Sequence, residues 1–434
     1  MSIDSTGQSP GHRAIGAGEP RLVRSLGLGL LVLYGLGVTV GAGIYVLVGA
    51  AAGRAGVHAP VAFLIAAFVM SLSAASFAEL AVRFPVSAGE AAYVEAGLRS
   101  RKWSLLTGML VIAAAIIAAA AIAQGAAGYI GVLVPLPPSW LVAGVVIVMG
   151  MIAAWGISEA VAVAAAMTIV EICGLLTIVI AGLWQNPAIL SDLPLAFHGL
   201  ESGAVWPGIL GASLVAFFAF IGFEGMVNVA EEVKQPERTV PLAIGLTLVI
   251  STMLYILVVW VVIRSVPEAD LARSAAPLSL TYERLTGASP LVISLIAILA
   301  TINGVIIQII MASRVVYGLA CRGALPSLLG RVDPRTKTPL VATALVVAVT
   351  LGLSLALPID RLADFTTRVM LVVFALVNVA LVAIKVRGDR GTARENDAAA
   401  LDGEGGKRSF AVPFAVPVLG AITCMALLIA DFAR

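Results

Sequence analysis

Two stretches decide how this chain is read: Gly35-Leu-Gly-Val-Thr-Val-Gly-Ala-Gly-Ile-Tyr45 and Ala216-Phe-Phe-Ala-Phe-Ile-Gly-Phe-Glu-Gly225. Each sits inside an apolar run long enough to cross a hydrocarbon core, which takes about 20 residues as a helix. Each also carries residues that a continuous lipid-buried helix avoids. Gly37, Gly41 and Gly43 crowd the first, and Gly222 and Gly225 flank the acidic Glu224 in the second. Glycine costs a helix interior about 1 kcal/mol relative to alanine, so both stretches are expected to loosen. A helix unwound in lipid bares amides at the start of one half, where the dipole is positive, and carbonyls at the end of the other, where it is negative. That polarity suits a zwitterion. Its carboxylate would accept from the amides of Gly41, Ala42, Gly43 and Ile44, and its ammonium would donate to carbonyls near Thr39, Phe218 and Ile221. Glycine spacing by itself equally allows close helix packing, as in small-xxx-small interfaces.

Working outward, the 434-residue chain is 60% hydrophobic and 12% charged, whereas a soluble domain carries about 25% charged residues. A larger interior does not absorb the excess, because chains beyond ~250–300 residues split into domains. The surplus apolar surface faces lipid. Apolar runs fall at 26 to 51, 59 to 82, 102 to 131, 139 to 156, 159 to 184, 205 to 230, 239 to 264, 289 to 318, 338 to 357, 364 to 386 and 410 to 432. Only Gly156 to Ser158 separates the fourth from the fifth. Alternation of the β-barrel kind is absent, so an all-α polytopic membrane protein of 11, possibly 12, transmembrane helices is expected.

The two loosened stretches lie about 180 residues apart and each opens a unit of five helices. Five is odd, so the second unit (205–386) inverts the first (26–184), and paired breaks in inverted halves point to a substrate site at mid-membrane. Residues 1–25 read as a disordered cytoplasmic tail, 387–409 as a cytoplasmic loop and 410–434 as an extra C-terminal helix. Short cytoplasmic segments hold an excess of Lys and Arg. With the N-terminus inside, that side takes Arg13, Arg21 and Arg24, then Arg83, Arg99, Arg101 and Lys102, then Lys234 and Arg238. It also takes Arg314, Arg322, Arg331, Arg335 and Lys337, and finally Lys385, Arg387, Arg390, Arg394, Lys407 and Arg408. A plasma-membrane location is expected. Balanced charge, 27 Lys+Arg against 25 Asp+Glu, gives no basic stripe for nucleic acid. Cys173, Cys321 and Cys424 have no metal-ligand spacing, and His12, His58 and His198 fall in tail or loops. Catalysis finds no foothold, and no cofactor is expected.

These residues resemble the amino acid/polyamine/organocation (APC) permeases from about Leu26 to Phe432. Gly41-Ala42-Gly43-Ile44-Tyr45 is similar to that family's G-x-G-I-[FY] segment. Arg83-Phe-Pro-Val-Ser-Ala-Gly89 with Tyr93 resembles its R-x-P-x-[SA]-G-x-x-Y stretch. Phe217 to Glu224, followed by Ala230-Glu-Glu-Val-Lys-Gln-Pro-Glu-Arg-Thr-Val-Pro241, resembles its F-x-G-[FW]-[DE] and E-E-x-x-x-P-x-R-x-[IVL]-P signatures. Ala312-Ser-Arg-Val-Val-Tyr317 and Gly323-Ala-Leu-Pro326 add a fourth motif. The resemblance implies the 5+5 inverted-repeat fold of the leucine transporter LeuT with helices 1 and 6 broken. It implies an amino acid permease in which Phe218 or Phe220 covers the substrate and Gln308 faces its side chain. Transport would be proton-coupled or by exchange; a sensor of the same fold that binds without transporting is the other reading. Proton-coupled relatives carry a lysine midway along helix 5, where this chain has Glu171, and sodium-coupled ones carry adjacent hydroxyls on helix 8, which this chain lacks.

Intramembrane charge is costly, ~2.5–3.5 kcal/mol at mid-helix on insertion scales, so it marks pathways. Glu171 and Glu224 qualify for proton coupling or gating. Glu231, Glu232, Lys234 and Arg238 read as gate or anchor charges at the cytoplasmic end of helix 6, with Arg83 and Arg314 as partners and Glu79 in the same network. Arg368 reads as snorkelling to the outer interface.

Overall fold

A computed structural model describes residues 26–84, 89–155, 161–228, 233–321, 323–395 and 410–432. Nearly every described segment is helical: α1 (Leu28–Val40), α2 (Ala42–Ala55), α3 (Ala59–Arg83), α4 (Gly89–Leu98), α5 (Arg101–Leu133), α6 (Pro138–Trp155), α7 (Val161–Gln185) and α8 (Trp206–Phe220). There follow α9 (Gly225–Asn228), α10 (Pro236–Ser265), α11 (Glu268–Arg273), α12 (Pro277–Thr286), α13 (Leu291–Cys321), α14 (Leu340–Ala356), α15 (Ile359–Glu395) and α16 (Ala415–Phe432). Nine described stretches are long and apolar enough to cross a membrane, accompanied by the shorter apolar helices α1 and α14. The expected runs 59 to 82, 102 to 131 and 239 to 264 match α3, α5 and α10 within three residues. Proline in the first turn of α3, α8, α10 and α12 starts each helix where an amide would have no partner anyway.

One boundary differs. The helix of the tenth run does not stop at 386; α15 continues to Glu395, since lysine and arginine, as at Lys385 and Arg387, are good helix formers. Residues 396–409, the rest of the expected loop, lie outside the described residues, as do 1–25 and the 156–158 junction.

The helices pack in two groups. In one, α1 and α2 lie against α8 and α10, and α3 packs on both of those. In the other, α5 packs on α13, and α6 on α14, with α5 and α6 also in contact. The alanine-rich face of α5 (Ala114, Ala115, Ala118, Ala119, Ala120, Ala123) is fully buried, and such small residues let backbones approach closely where lipid removes any hydrophobic drive between helices. α7 touches α1, α10 and α13, α15 touches α3, α5 and α8, and α16 rests on α15 and α3. The face from which the chain enters at Leu26 is here the near face, and the opposite one the far face.

Both glycine-rich stretches are broken. Only Gly41 (φ −59°, ψ −137°) separates α1 from α2. After Phe220 the chain turns through Ile221 to Glu224 before α9, closed by Gly225 N–H to Gly222 O (2.8 Å) and Met226 N–H to Phe223 O (3.0 Å). Gly222 has φ +132°, and a Cβ there would stand 2.1 Å from the Val38 carbonyl oxygen. Gly222→Ala therefore carries both a strained backbone, worth roughly 1–3 kcal/mol, and a clash with α1. It is expected to lower the thermal midpoint of the detergent-solubilised protein by several degrees. Gly245→Ala on α10, where a Cβ meets nothing within 4 Å, is expected to leave that midpoint at or above the wild-type value.

Candidate functional site

The two breaks abut. A Cβ on Gly43 would lie 2.6 Å from the Ala219 Cα, and Gly222 meets Val38 from the other side, so the unwound segments run past one another in main-chain contact. A single side chain clasps them. The Tyr255 hydroxyl, from α10, reaches the Thr39 carbonyl at 2.6 Å and the Ala219 carbonyl at 2.9 Å, sharing its one proton between the C-terminal ends of α1 and α8. Each carbonyl keeps a lone pair. No side chain caps α2, whose first amides at Ala42, Gly43 and Ile44 have no intrahelical acceptor. Half-helix carbonyls and half-helix amides thus converge on one place, which is what a small zwitterion would need.

The residues singled out from the sequence fall as follows. Thr39, Gly41, Ala42, Gly43 and Ile44 are all buried at the first break, and the Thr39 hydroxyl has no hydrogen-bond partner among the described residues. Gly304 of α13 faces Ala42, a Cβ there standing 3.3 Å from the alanine methyl. Gln308 lies one turn further along, its buried Oε1 also without a partner. The two candidate phenylalanines differ. Phe220 is clamped between Phe63 (6.4 Å, edge-on) and Tyr255 (5.0 Å, tilted), which is core packing. Phe218 is 6% exposed, has no ring neighbour of that kind among the described residues, and its carbonyl accepts from Ile221 N–H at 3.1 Å.

Glu171 lies level with the first break. On α7, Thr168 abuts Gly37 and Gly174 abuts the Tyr45 hydroxyl, which brackets Glu171 between the two sides of Gly41. It is 1% exposed, and both carboxylate oxygens lack a partner among the described residues. Its backbone carbonyl accepts from the Tyr45 hydroxyl at 2.6 Å, and the Tyr45 carbonyl accepts in turn from Tyr129 at 2.6 Å. Glu224 is buried at the second break, where its Oε2 accepts from Gly222 N–H at 2.9 Å and pins the turn.

Of the expected near-face charges, Arg83 pairs with Glu79 of its own helix at 2.5 Å, while Glu231 and Glu232 lie outside the described residues. Arg314 is exposed and makes no ion pair among the described residues. Lys385 joins Glu79 at 2.8 Å and donates to the Val412 carbonyl (2.7 Å), while Val412 N–H donates to Glu79 (2.7 Å). Arg368 does not simply snorkel: it pairs with Asp431 at 2.5 Å and lies over the rings of Phe365 and Phe432, because α16 brings an acid and an aromatic to it. Sequence reasoning missed three further features. Tyr255 is one. Arg54 is another, bonded to both oxygens of Asp364 (2.7 and 3.0 Å) and to the Gly211 carbonyl (3.0 Å), so that it ties α2, α8 and α15 on the far face. The third is a far-face cavity of about 710 Å³ whose lining includes Gln124, Ser279, Glu283 and Ser354 but none of the break residues.

The chain matches the amino acid permease family over residues 28–432. It is 31% identical to the vacuolar cationic amino acid transporter 4 of Arabidopsis thaliana over 395 residues, 85% of this chain and 64% of that one. It is 30% identical to the branched-chain amino acid permease BcaP of Bacillus subtilis, again over 395 residues, 85% of this chain and 82% of the permease. With the chloroplastic cationic amino acid transporter 9 of Arabidopsis thaliana it shares 28% identity over 336 residues, 72% of this chain and 58% of the relative. The chain thus spans about three-fifths of the plant relatives' length and about four-fifths of the bacterial one. A match that runs from the first residue of α1 to the last of α16, through both breaks, means that the chain belongs to the amino acid permease family.

Proposed function

We propose that this protein is a secondary transporter of an α-amino acid or a close derivative, working by alternating access in a 5+5 inverted-repeat bundle. The observation that carries the reading is the abutment of two half-helix breaks under the Tyr255 hydroxyl, which presents unspent carbonyl lone pairs and uncapped amides side by side. The substrate's carboxylate lies on the amides of Gly41 to Ile44 and its ammonium on the carbonyls of Thr39, Phe218 and Ile221. Phe218, the unstacked ring, covers it, and Gln308 faces its side chain. The two packing groups supply the moving parts, since rocking one against the other around a fixed site is how such folds alternate. Substrates named for the relatives, cationic and branched-chain amino acids, set the classes to try first. The N-terminus lies on the cytoplasmic side of the plasma membrane, the side being assigned on the distribution of Lys and Arg.

Protons or exchange drive the cycle, with Glu171 and Glu224 as the acids that take part in coupling or gating. Glu171 supports this by its depth, its place beside the first break and its two unpartnered oxygens. In proteoliposomes the full chain is expected to accumulate a labelled amino acid under an inward proton gradient, or to exchange it for unlabelled amino acid inside. Binding without movement would replace the transporter by a sensor. Glu171→Gln and Glu224→Gln are expected to flatten the pH dependence of uptake; wild-type rates with full pH dependence in both would remove these acids from coupling.

A further inference from the structure

The far-face cavity, at about 710 Å³, has the size at which proteins hold small organic molecules, ~300–1,000 Å³. Its walls come from the end of α5, the start of α6, the end of α14, and α12 with the loop that leads into it. Ala127, Leu141, Val142 and Leu280 make the lining aliphatic. The lining residues Val132, Leu136 and Leu355 are themselves exposed, so the cavity opens at the surface.

The polar groups left over in this lining are all acceptors. Glu283 is its one charged residue, and the carboxylate makes no ion pair or side-chain hydrogen bond among the described residues. The next residue, Arg284, is engaged by Asp270 at 3.1 Å. At the end of α5 the Gly131 carbonyl would be met by the amide of residue 135, which is a proline and has none. Leu136 N–H turns instead to the Val134 carbonyl at 2.8 Å, so the Val132 carbonyl is also left over, at the negative end of the helix dipole. Donors, by contrast, are engaged. The Gln124 amide nitrogen donates to the Ser354 and Leu357 carbonyls, each at 2.6 Å. At the start of α6 the amides of Trp140 and Leu141 go to the Pro137 carbonyl (3.0 and 3.3 Å), and Pro138 carries no N–H. Ala276 N–H goes to the Ser274 hydroxyl at 3.2 Å, and the Ser279 hydroxyl is shared with that of Ser294 at 2.8 Å.

We propose that this cavity binds an aliphatic primary ammonium ion, its charge on Glu283 and its chain along Leu141 and Leu280. The ammonium supplies the donors that the lining lacks. An amino acid zwitterion or an ethanolamine phosphate headgroup carries an anion close to its ammonium, and with no Lys, Arg or His in the lining that anion would face acceptors alone. The ligand is therefore chemically distinct from the zwitterion at the two breaks. The loop into α12 already meets α5, a Cβ on Gly128 standing 2.3 Å from the Ala275 carbonyl oxygen, and α12 packs on α2. A bound ammonium ion thus braces α2, the far half of the first broken crossing, against α5, α6 and α14. On the transport reading, such a brace between the two packing groups inhibits the cycle.

Binding is tested without transport. Hexylamine is expected to raise the thermal midpoint of the purified full chain saturably, as a ligand of the folded state does. Hexanol, of the same length without the charge, and ε-aminocaproate, which adds an anion, are not. Glu283→Gln is expected to weaken hexylamine about tenfold, the worth of one charge-assisted hydrogen bond, and Glu283→Asp to keep most of the affinity. Glu283 is exposed and unpaired among the described residues, so both variants are expected to fold as wild type does. Ser139→Phe, at an exposed position of the lining, is expected to fill the space and abolish the shift. Raising ionic strength is expected to weaken hexylamine, because the carboxylate is open to screening. Equal shifts from hexylamine and hexanol, or wild-type affinity in Glu283→Gln, would overturn the site. In proteoliposomes hexylamine is expected to slow amino acid uptake by wild type and not by Glu283→Gln. Unslowed uptake with binding intact would overturn the brace. No uptake by wild type at all, with binding intact, would strike the transport reading and leave the ammonium site standing.

Discussion

Main-chain N–H and C=O groups have no water to turn to inside a bilayer, and everything in this molecule answers to that constraint. Two crossings violate the continuous helix that would satisfy it. The violation is held by very few contacts: the Tyr255 hydroxyl on two carbonyls, the Glu224 carboxylate on one amide, and glycines thin enough to let two backbones lie together. Tyr255 deserves its central place because it belongs to neither broken helix. Sitting on α10, it makes the geometry of both breaks a property of the surrounding bundle.

The same economy recurs at other buried hydroxyls. Tyr129 bonds the Tyr45 carbonyl and Tyr45 bonds the Glu171 carbonyl, a relay from α5 through α2 to α7 that crosses from one packing group toward the other. Such isolated polar pegs on otherwise apolar, alanine-rich surfaces fix a register without welding the helices. Sliding costs a few hydrogen bonds, each worth about 1 kcal/mol net, and little packing. On the far face the Arg54 guanidinium is a stronger tie, with two carboxylate oxygens and one carbonyl in its fork.

Much of this could be read before any coordinates. Gly37, Gly41, Gly43 and Gly222 announce breaks because glycine is the one residue that is poor in helices and tolerant of close approach, and an apolar run of twenty announces a crossing whatever it packs against. The acids Glu171 and Glu224 stood out because their surroundings in sequence are wholly apolar. Tyr255 did not, since a tyrosine in an apolar run looks like ordinary packing until its hydroxyl is seen between two carbonyls. Arg54 with Asp364, 310 residues apart, is invisible to any local pattern. The reach of α15 to Glu395 was missed because charge was read as the end of a helix when it marks only the end of the lipid.

One modest feature carries a wider consequence. Leu26, two residues before α1, forms a parallel bridge with Val233 before α10, and the Lys234 amide donates to the Leu26 carbonyl at 2.9 Å. The entries to α1 and to α10 are thereby yoked by peptide groups. Because the yoke uses no side-chain polar atom, it is indifferent to which amino acids occupy positions 26 and 233, provided that position 234 keeps a hydrogen on its nitrogen. A displacement of α1 at this end would drag the start of α10 with it, and the chain could drift widely in sequence there without uncoupling them.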